Sequence, residues 1–188
     1  RAGAQIHQQT EVQKIELTKG SVCAVVTNRG RIKTGTVLKA TAGYASTICD
    51  MGGLQIPLET HPLQAFVTEP LKPFLHTVIV SGTLHVYLSQ TGRGELVIGA
   101  EIDPYASYSM RSTLPFLEEC ATHVLELFPC LEEIRVLRQW AGICDMTPDF
   151  SPIMGTTPIE GFYIDAGWGT WGFKATPISG KTMAYTLA

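Results

Sequence analysis

The sequence contains no C-x-x-C pair, no H-x-x-x-H or H-E-x-x-H run, no block of like charges and no uninterrupted apolar stretch of membrane-spanning length. Each absence removes a class. Five cysteines, at 23, 49, 120, 130 and 144, lie far apart and are odd in number, which fits reduced intracellular thiols and a cytoplasmic location better than a disulfide framework or a zinc site. Without paired histidines there is no recognisable metal-ligand spacing, so no metal site is expected. The longest apolar run, around Thr77 to Leu88, is broken by Ser, Gly and His well short of the roughly 20 residues a membrane helix needs. A net charge of −3 with no basic stripe argues against a nucleic-acid partner. No internal repeat and no low-complexity segment is present. The chain also lacks an initiator Met, and Thr182 to Ala188 stops without a helix C-cap, while Arg1 to Ala4 reads as the tail of a helix turning into a strand. A piece of a longer polypeptide is expected.

What the sequence does have is concentrated in Phe162 to Lys181, F-Y-I-D-A-G-W-G-T-W-G-F-K-A-T-P-I-S-G-K. An apolar run over Phe162 to Ala166 predicts a short buried strand, followed by a loop with glycines at 167, 169 and 172 and then a helix. Glycines let backbone N–H groups approach a ligand, and a helix start behind them offers unpaired donors and partial positive charge to an electron-rich group. Lys174 falls in that first turn, where the helix dipole disfavours a cation by about 0.3–1 kcal/mol. It therefore needs either a compensating anion or exposure to water. Gly167-x-Gly169-x-x-Gly172 also spells the dinucleotide-binding fingerprint, but no βαβ frame and no acidic residue follow it.

Along the chain, Val12 to Leu17, Ser21 to Thr27 and Val37 to Thr41 read as strands of a small β-meander, separated by turns at Lys19-Gly20 and Asn28-Arg29-Gly30. The last of them ends at Thr41-Ala42-Gly43, and Ala45 to Met51 reads as a short helix closed by Gly52-Gly53. Gly43 either faces a phosphate or makes a tight turn. Beyond Pro57, short β-type runs at His61 to Thr68, Thr77 to Val80, Leu84 to Ser89 and Glu95 to Glu101 predict a mostly antiparallel sheet. Alternation over Leu84 to Leu88 sets His85 and Tyr87 on one face, lining a cavity or capping a half-exposed sheet. Apolar residues at 114, 117, 121, 124, 125 and 128 predict an amphipathic helix stopped by Pro129. Ile134 to Met146 reads as a long strand carrying Arg138 and Trp140 on one face, where the pair either holds an anion or simply stacks.

Four stretches in this order, V-L-K-A-T-A-G-Y-A-S (37–46), I-P-L-E-T-H-P-L-Q-A (56–65), L-R-Q-W-A-G-I-C-D-M-T-P-D-F-S-P-I-M-G (137–155) and G-W-G-T-W-G-F-K-A-T-P-I-S-G (167–180), carry a resemblance. The chain resembles the FAD-dependent amine oxidases built like D-amino acid oxidase, and among them most closely the β subunits of heterotetrameric sarcosine oxidases. The fold class so implied is α/β (α+β). Residues 1–56 and 140–188 would form an incomplete FAD-binding portion, and 57–139 a substrate-binding antiparallel sheet with a covering helix. The family's true dinucleotide fingerprint would lie upstream of Arg1, so the faces of Val37–Ala42 and Phe162–Ala166 that pack on the preceding strands would be exposed.

The resemblance further implies flavin-dependent oxidation of sarcosine to glycine and formaldehyde. The alternatives are oxidation of another small amine (dimethylglycine, a D-amino acid, proline or glycine) or a non-catalytic assembly module on the same fold. By position, Val12 meets the adenine, Gly43 lies near the cofactor, and Gly169, Gly172 and Lys174 line the flavin ring. Lys174 also pairs with the substrate carboxylate, and Tyr87 is a further substrate contact. In heterotetrameric members a covalently held FMN is attached upstream, and here His85 and, more weakly, Arg138 are the residues that would contact it. Other subunits are the implied protein partners. Two positions depart from related monomeric enzymes: Gly142 stands where they carry a flavin-linked cysteine, with Cys144 two residues on, and Glu101 stands where they carry a histidine.

Overall fold

The computed structural model describes residues 3–188, with the side chains of Ala100 and Glu101 outside the described set. Arg1 and Ala2 of the helix tail expected over Arg1 to Ala4, and the contacts of the Glu101 side chain, therefore lie outside the described residues.

The chain opens with β1 (Val12–Thr18), β2 (Ser21–Thr27) and β3 (Gly30–Lys33), an antiparallel sheet in that order. β3 was not expected. Asn28-Arg29-Gly30 reads as a turn, and all four residues of the strand are exposed, so no alternation marks it. It is held by the ladder to β2 and by Arg31, whose guanidinium meets Glu16 at 2.7 Å. β4 (Val37–Lys39) does not return to this meander as expected. It leaves for a second sheet, and a 3-10 turn at Ala42–Tyr44 leads into α1 (Ala45–Met51), which ends at Gly52.

The middle of the chain supplies β5 (Glu59–Pro70), β6 (Ile79–Ser81), β7 (Val86–Gln90), β8 (Glu95–Ile102), α2 (Leu114–Leu127) and β9 (Val136–Met146). These strands make a five-stranded sheet ordered β6-β7-β8-β5-β9. Phe66, Val86, Leu88, Leu96 and Ile98 share one face and bury it under Phe116, Cys120 and Val124 of α2. Helix α2 begins where its chemistry says it should, with Thr113 accepting the Phe116 N–H and Pro115 in the first turn. Gln64 of β5 secures that start: its Oε1 accepts the Thr113 N–H at 2.7 Å, and its Nε2 donates to both carboxylate oxygens of Asp103 at 2.9 Å.

The chain closes with β10 (Ile153–Thr156), β11 (Phe162–Ala166) and α3 (Gly172–Leu187), a 3-10 turn at Gly169–Trp171 preceding the helix. β11 is central in a sheet ordered β10-β11-β4, antiparallel to β10 and parallel to β4, with Ile164 level with Lys39. Phe162, Ile164 and Ala166 point into a core made with Ile15, Val22, Ala45 and Cys49. The expectation that this strand exposes its apolar face is thus corrected, because α1 and the meander cover it. Apolar side chains are exposed at the 3-10 turn and α3, where Trp171, Phe173, Ile178 and Tyr185 face outward while Ser179 and Met183 are buried.

By contacts the chain divides into two compact units, one running through Glu59 and resuming at Asp145–Ala188, the other Thr60–Cys144.

Candidate functional site

The first unit gathers its glycines at the carboxyl ends of the two parallel strands. β11 ends at Ala166 and turns through Gly167 and Gly169 into α3, while β4 ends at Lys39 and turns past Gly43 into α1. In open α/β sheets, ligands bind outside the carboxyl ends of parallel strands. Two of the glycines are required there. Gly167 has φ +74° and Gly169 φ +52°, and a Cβ would come within 2.7 Å of Thr147 Cγ2 at the first and 2.9 Å of Met146 Sδ at the second.

Three side-chain contacts hold this loop. Asp145, buried at the end of β9, accepts the Gly167 N–H on Oδ2 at 2.6 Å. Asp165 of β11 accepts the Trp168 indole N–H at 2.6 Å on one oxygen and the Ser179 hydroxyl on the other, tying the loop to the second turn of α3. Neither aspartate was singled out from the sequence. The available signal is an acidic residue inside an otherwise apolar strand, D in F-Y-I-D-A and in G-I-C-D-M, where an unpaired carboxylate would be costly.

Beyond the loop, α3 starts with no side-chain cap and no acidic residue in its first turn. Its opening N–H groups and dipole are thus left to an electron-rich group. Lys174 lies in that turn, exposed, with Nζ 5.6 Å from the Trp171 ring centroid. An indole face lessens the dipole penalty on the ammonium without neutralising its charge. Gly172 stands at the same helix start, so Gly169, Gly172 and Lys174 are brought together as the sequence suggests. Gly43 is buried in the 3-10 turn before α1. Val12 lies elsewhere, as the first residue of β1 opposite Thr27.

One buried charge completes this unit. Lys39 is 1% exposed, and its Nζ has no hydrogen-bond partner among the described residues. Burial holds its ammonium below the usual lysine value, against the opposing pull of Cys49, Asp145 and Asp165.

In the second unit the expected shared face of His85 and Tyr87 is corrected. His85 precedes β7 in a turn with φ +52°, where Ser81 Oγ accepts the Leu84 N–H, so strand alternation has not begun. Tyr87 is half-buried and lies over Gly99, where a Cβ would come within 2.4 Å of its ring. Burial raises its phenol above the ordinary tyrosine value. Arg138 and Trp140 do meet, the guanidinium carbon 5.6 Å from the ring centroid, and both are exposed. Gly142 is half-buried within β9 and Cys144 is buried, its thiol donating to the His61 carbonyl. A cavity of about 350 Å³ lies between the 73–78 loop and the β7–β8 turn and is lined by none of the sequence-derived candidates.

The glycine cradle, the uncapped helix start and the absence of acid from its first turn fit the electron-rich end of a flavin. No helix among the described residues is long and apolar enough to cross a membrane.

Comparisons with known proteins agree with this geometry. Over 186 residues the chain is 46% identical to the sarcosine oxidase subunit beta of Rhizobium meliloti and 42% identical to that of Rhodobacter capsulatus, in each case covering 99% of this chain and 45% of the relative. It superposes on the crystal structure of L-proline dehydrogenase from P. horikoshii with a TM-score of 0.88 and 33% identity, covering 93% of this chain and 48% of that one. The chain therefore spans about half the length of the proteins it matches. Residues 1–186 match the FAD dependent oxidoreductase family, and on that match, together with the α/β architecture and its glycine cradle, the chain belongs to that family.

Proposed function

We propose that the whole protein to which this chain belongs oxidises sarcosine as the β subunit of a multi-subunit oxidase in the cytoplasm, releasing glycine and formaldehyde. The observation that carries the proposal is the start of α3: an uncapped, acid-free first turn behind a glycine loop, with Lys174 beside it. Similarity to sarcosine oxidase β subunits over nearly the whole chain supports the choice of substrate.

Bound FAD supplies the electron acceptor for the oxidation. The chain's own residues hold and orient. The N–H groups at the start of α3, behind Gly169 and Gly172, bind the electron-rich end of the flavin, and Gly43 and the backbone of Val12 contribute to cofactor binding in the first unit. Lys174 moves from the Trp171 face to the substrate carboxylate and fixes the amine for reaction, converting a diffusing zwitterion into an oriented one. Tyr87 is assigned to the substrate, while His85 and Arg138 are assigned to an FMN held in the complex.

Replacing Lys174 by Met in the whole protein is expected to lower kcat/KM for sarcosine by about 10- to 100-fold, the value of one charge-assisted hydrogen bond. The loss should show as a raised KM and slower anaerobic flavin reduction. Unchanged reduction kinetics would remove Lys174 from the site. A second reading is favoured by the likeness to L-proline dehydrogenase, that the substrate is another small secondary amine. Anaerobic bleaching against sarcosine, dimethylglycine, proline, glycine and a D-amino acid separates the two. A colourless protein that cannot be reconstituted with FAD would instead support a non-catalytic assembly module.

A further inference from the structure

We propose that Asp165 is the positioning residue of the candidate site: its two carboxylate oxygens grip the glycine loop and α3 separately, and so hold the donor-bearing start of the helix at one place and one angle. What is positioned for rests on the flavin reading of that helix start; that Asp165 positions it does not.

Helix α3 has little of its own to fix where it begins. No side chain caps its first turn, and the residues it buries are Ser179 and Met183, one of them polar. Pro177 lacks the N–H that would bond to the Phe173 carbonyl, and Gly172 and Gly180 favour a helix less than any residue but proline. Propensity, capping and apolar packing thus all leave the start loose. A helix so placed needs a tether.

Asp165 supplies it from the sheet. Strand alternation sets Phe162, Ile164 and Ala166 into the core and turns Asp165 to the opposite face of β11. There one oxygen accepts the Trp168 indole N–H at 2.6 Å and the other accepts the Ser179 hydroxyl. Trp168 opens the 3-10 turn, its carbonyl accepting the Trp171 N–H at 2.9 Å, and its Cβ lies 3.2 Å from where a Cβ on Gly172 would stand. The first grip therefore reaches the opening residue of α3 through Trp168, while the second holds the helix beyond its first turn. Asp145, by contrast, meets the loop at Gly167, before the turn. A single contact would leave the helix free to swing about it, whereas one on either side of the first turn fixes its direction. The N–H groups at the start of α3 are thereby aimed in advance at an electron-rich group.

The test compares the whole protein with Asp165→Ala, Asp165→Asn and the Trp168→Phe/Ser179→Ala double variant. Amide exchange at Trp171 reads the positioning itself, and the midpoint potential of the bound flavin reads its consequence. Asp165→Ala is expected to speed Trp171 exchange by about tenfold, the value of an ordinary hydrogen bond, and to lower the equilibrium constant for flavin reduction by about tenfold, a shift of about 30 mV for a two-electron couple. Asparagine can accept from the indole on its oxygen and donate to the Ser179 oxygen from its amide, so Asp165→Asn should stay within about threefold of the parent on both counts. The double variant removes the same two contacts from the other side and should match Asp165→Ala, and it carries the test should Asp165→Ala not fold. Unaltered exchange in Asp165→Ala, faster exchange with an unmoved potential, or an Asp165→Asn protein as impaired as Asp165→Ala overturns the proposal. A parent that binds no flavin sinks the flavin reading instead, and the exchange comparison then decides the role of Asp165 by itself.

Discussion

The two units solve the problem of buried polarity in opposite ways. In Thr60–Cys144 the buried polar groups at the helix start satisfy one another: Gln64 spends both amide hydrogens and its oxygen on Asp103 and Thr113, and through Thr113 the start of α2 is fixed to β5. The buried atoms without a partner there, among the described residues, are neutral ones, Ser112 Oγ and Gln139 Oε1. In the other unit the unpartnered buried atom is an ammonium, Lys39 Nζ, and the helix at its candidate site buries little beyond Ser179 and Met183. The helix start in Thr60–Cys144 is fixed by internal hydrogen bonds, and what goes unpartnered there is uncharged. A region built to hold a ligand leaves donors and apolar surface open.

The largest expected effect sharpens this contrast. Leu88, wholly buried between the sheet and α2, should cost about 2–5 kcal/mol on replacement by Ala because the well-packed site cannot collapse. Urea denaturation of the protein measures it, and a loss under about 1 kcal/mol would show that this core is not the tight one described. Next in size is Gln64→Leu, which strands the Thr113 N–H and strips Asp103 of two contacts, and is expected to cost about 1.5–3 kcal/mol. If exchange protection at the start of α2 survives that change, the polar tether is ornamental.

The smallest effect is a pH dependence that separates the units by sign. Burial pushes the Cys120 thiol from 9.0 up to about 12. The unfolded thiol therefore ionises first, and the contribution of the second unit, intact below pH 9, falls as pH rises from there. Lys39 acts the other way. Its folded value lies below 10.5, so the unfolded chain binds the extra proton in that window and stability rises with pH up to it. Each slope is bounded by about 1.4 kcal/mol per pH unit. Cys120→Ala should flatten the alkaline loss and Lys39→Met the opposing gain, as read from unfolding midpoints across the alkaline range. The same slope in parent and Cys120→Ala would assign the loss to other groups.

Local signals made much of this legible from the chain alone. Helix α2 is written by Thr113, Pro115, the apolar spacing from Leu114 and the stop at Pro129, all within one stretch. The glycine loop is written by its own spacing, since positive φ at 167 and 169 admits little else. The partner of β4 was not legible, because a three-residue parallel strand takes its register from a distant β11 and carries no turn to announce it. His85 was misplaced because alternation was carried two residues too far back, into a turn. Lys39 was passed over for a physical reason: a lysine in a strand is ordinarily read as solvent-facing, and only the fold reveals that it is not.

The pairing of β4 with β11 also governs when this molecule can become itself. The segment Thr60–Cys144 is continuous, so its strands and α2 can meet as soon as Cys144 has been synthesised, through contacts that stay within one stretch of chain. β4, by contrast, must wait through all of that synthesis before β11 arrives to pair with it, and until then β11 does not cover Val37 and the buried face of α1. On a ribosome adding about 5–20 residues each second, that is an interval of several seconds or more in which the early segment is exposed. Within this stretch of chain the glycine cradle is thus completed only after Thr60–Cys144 has been made.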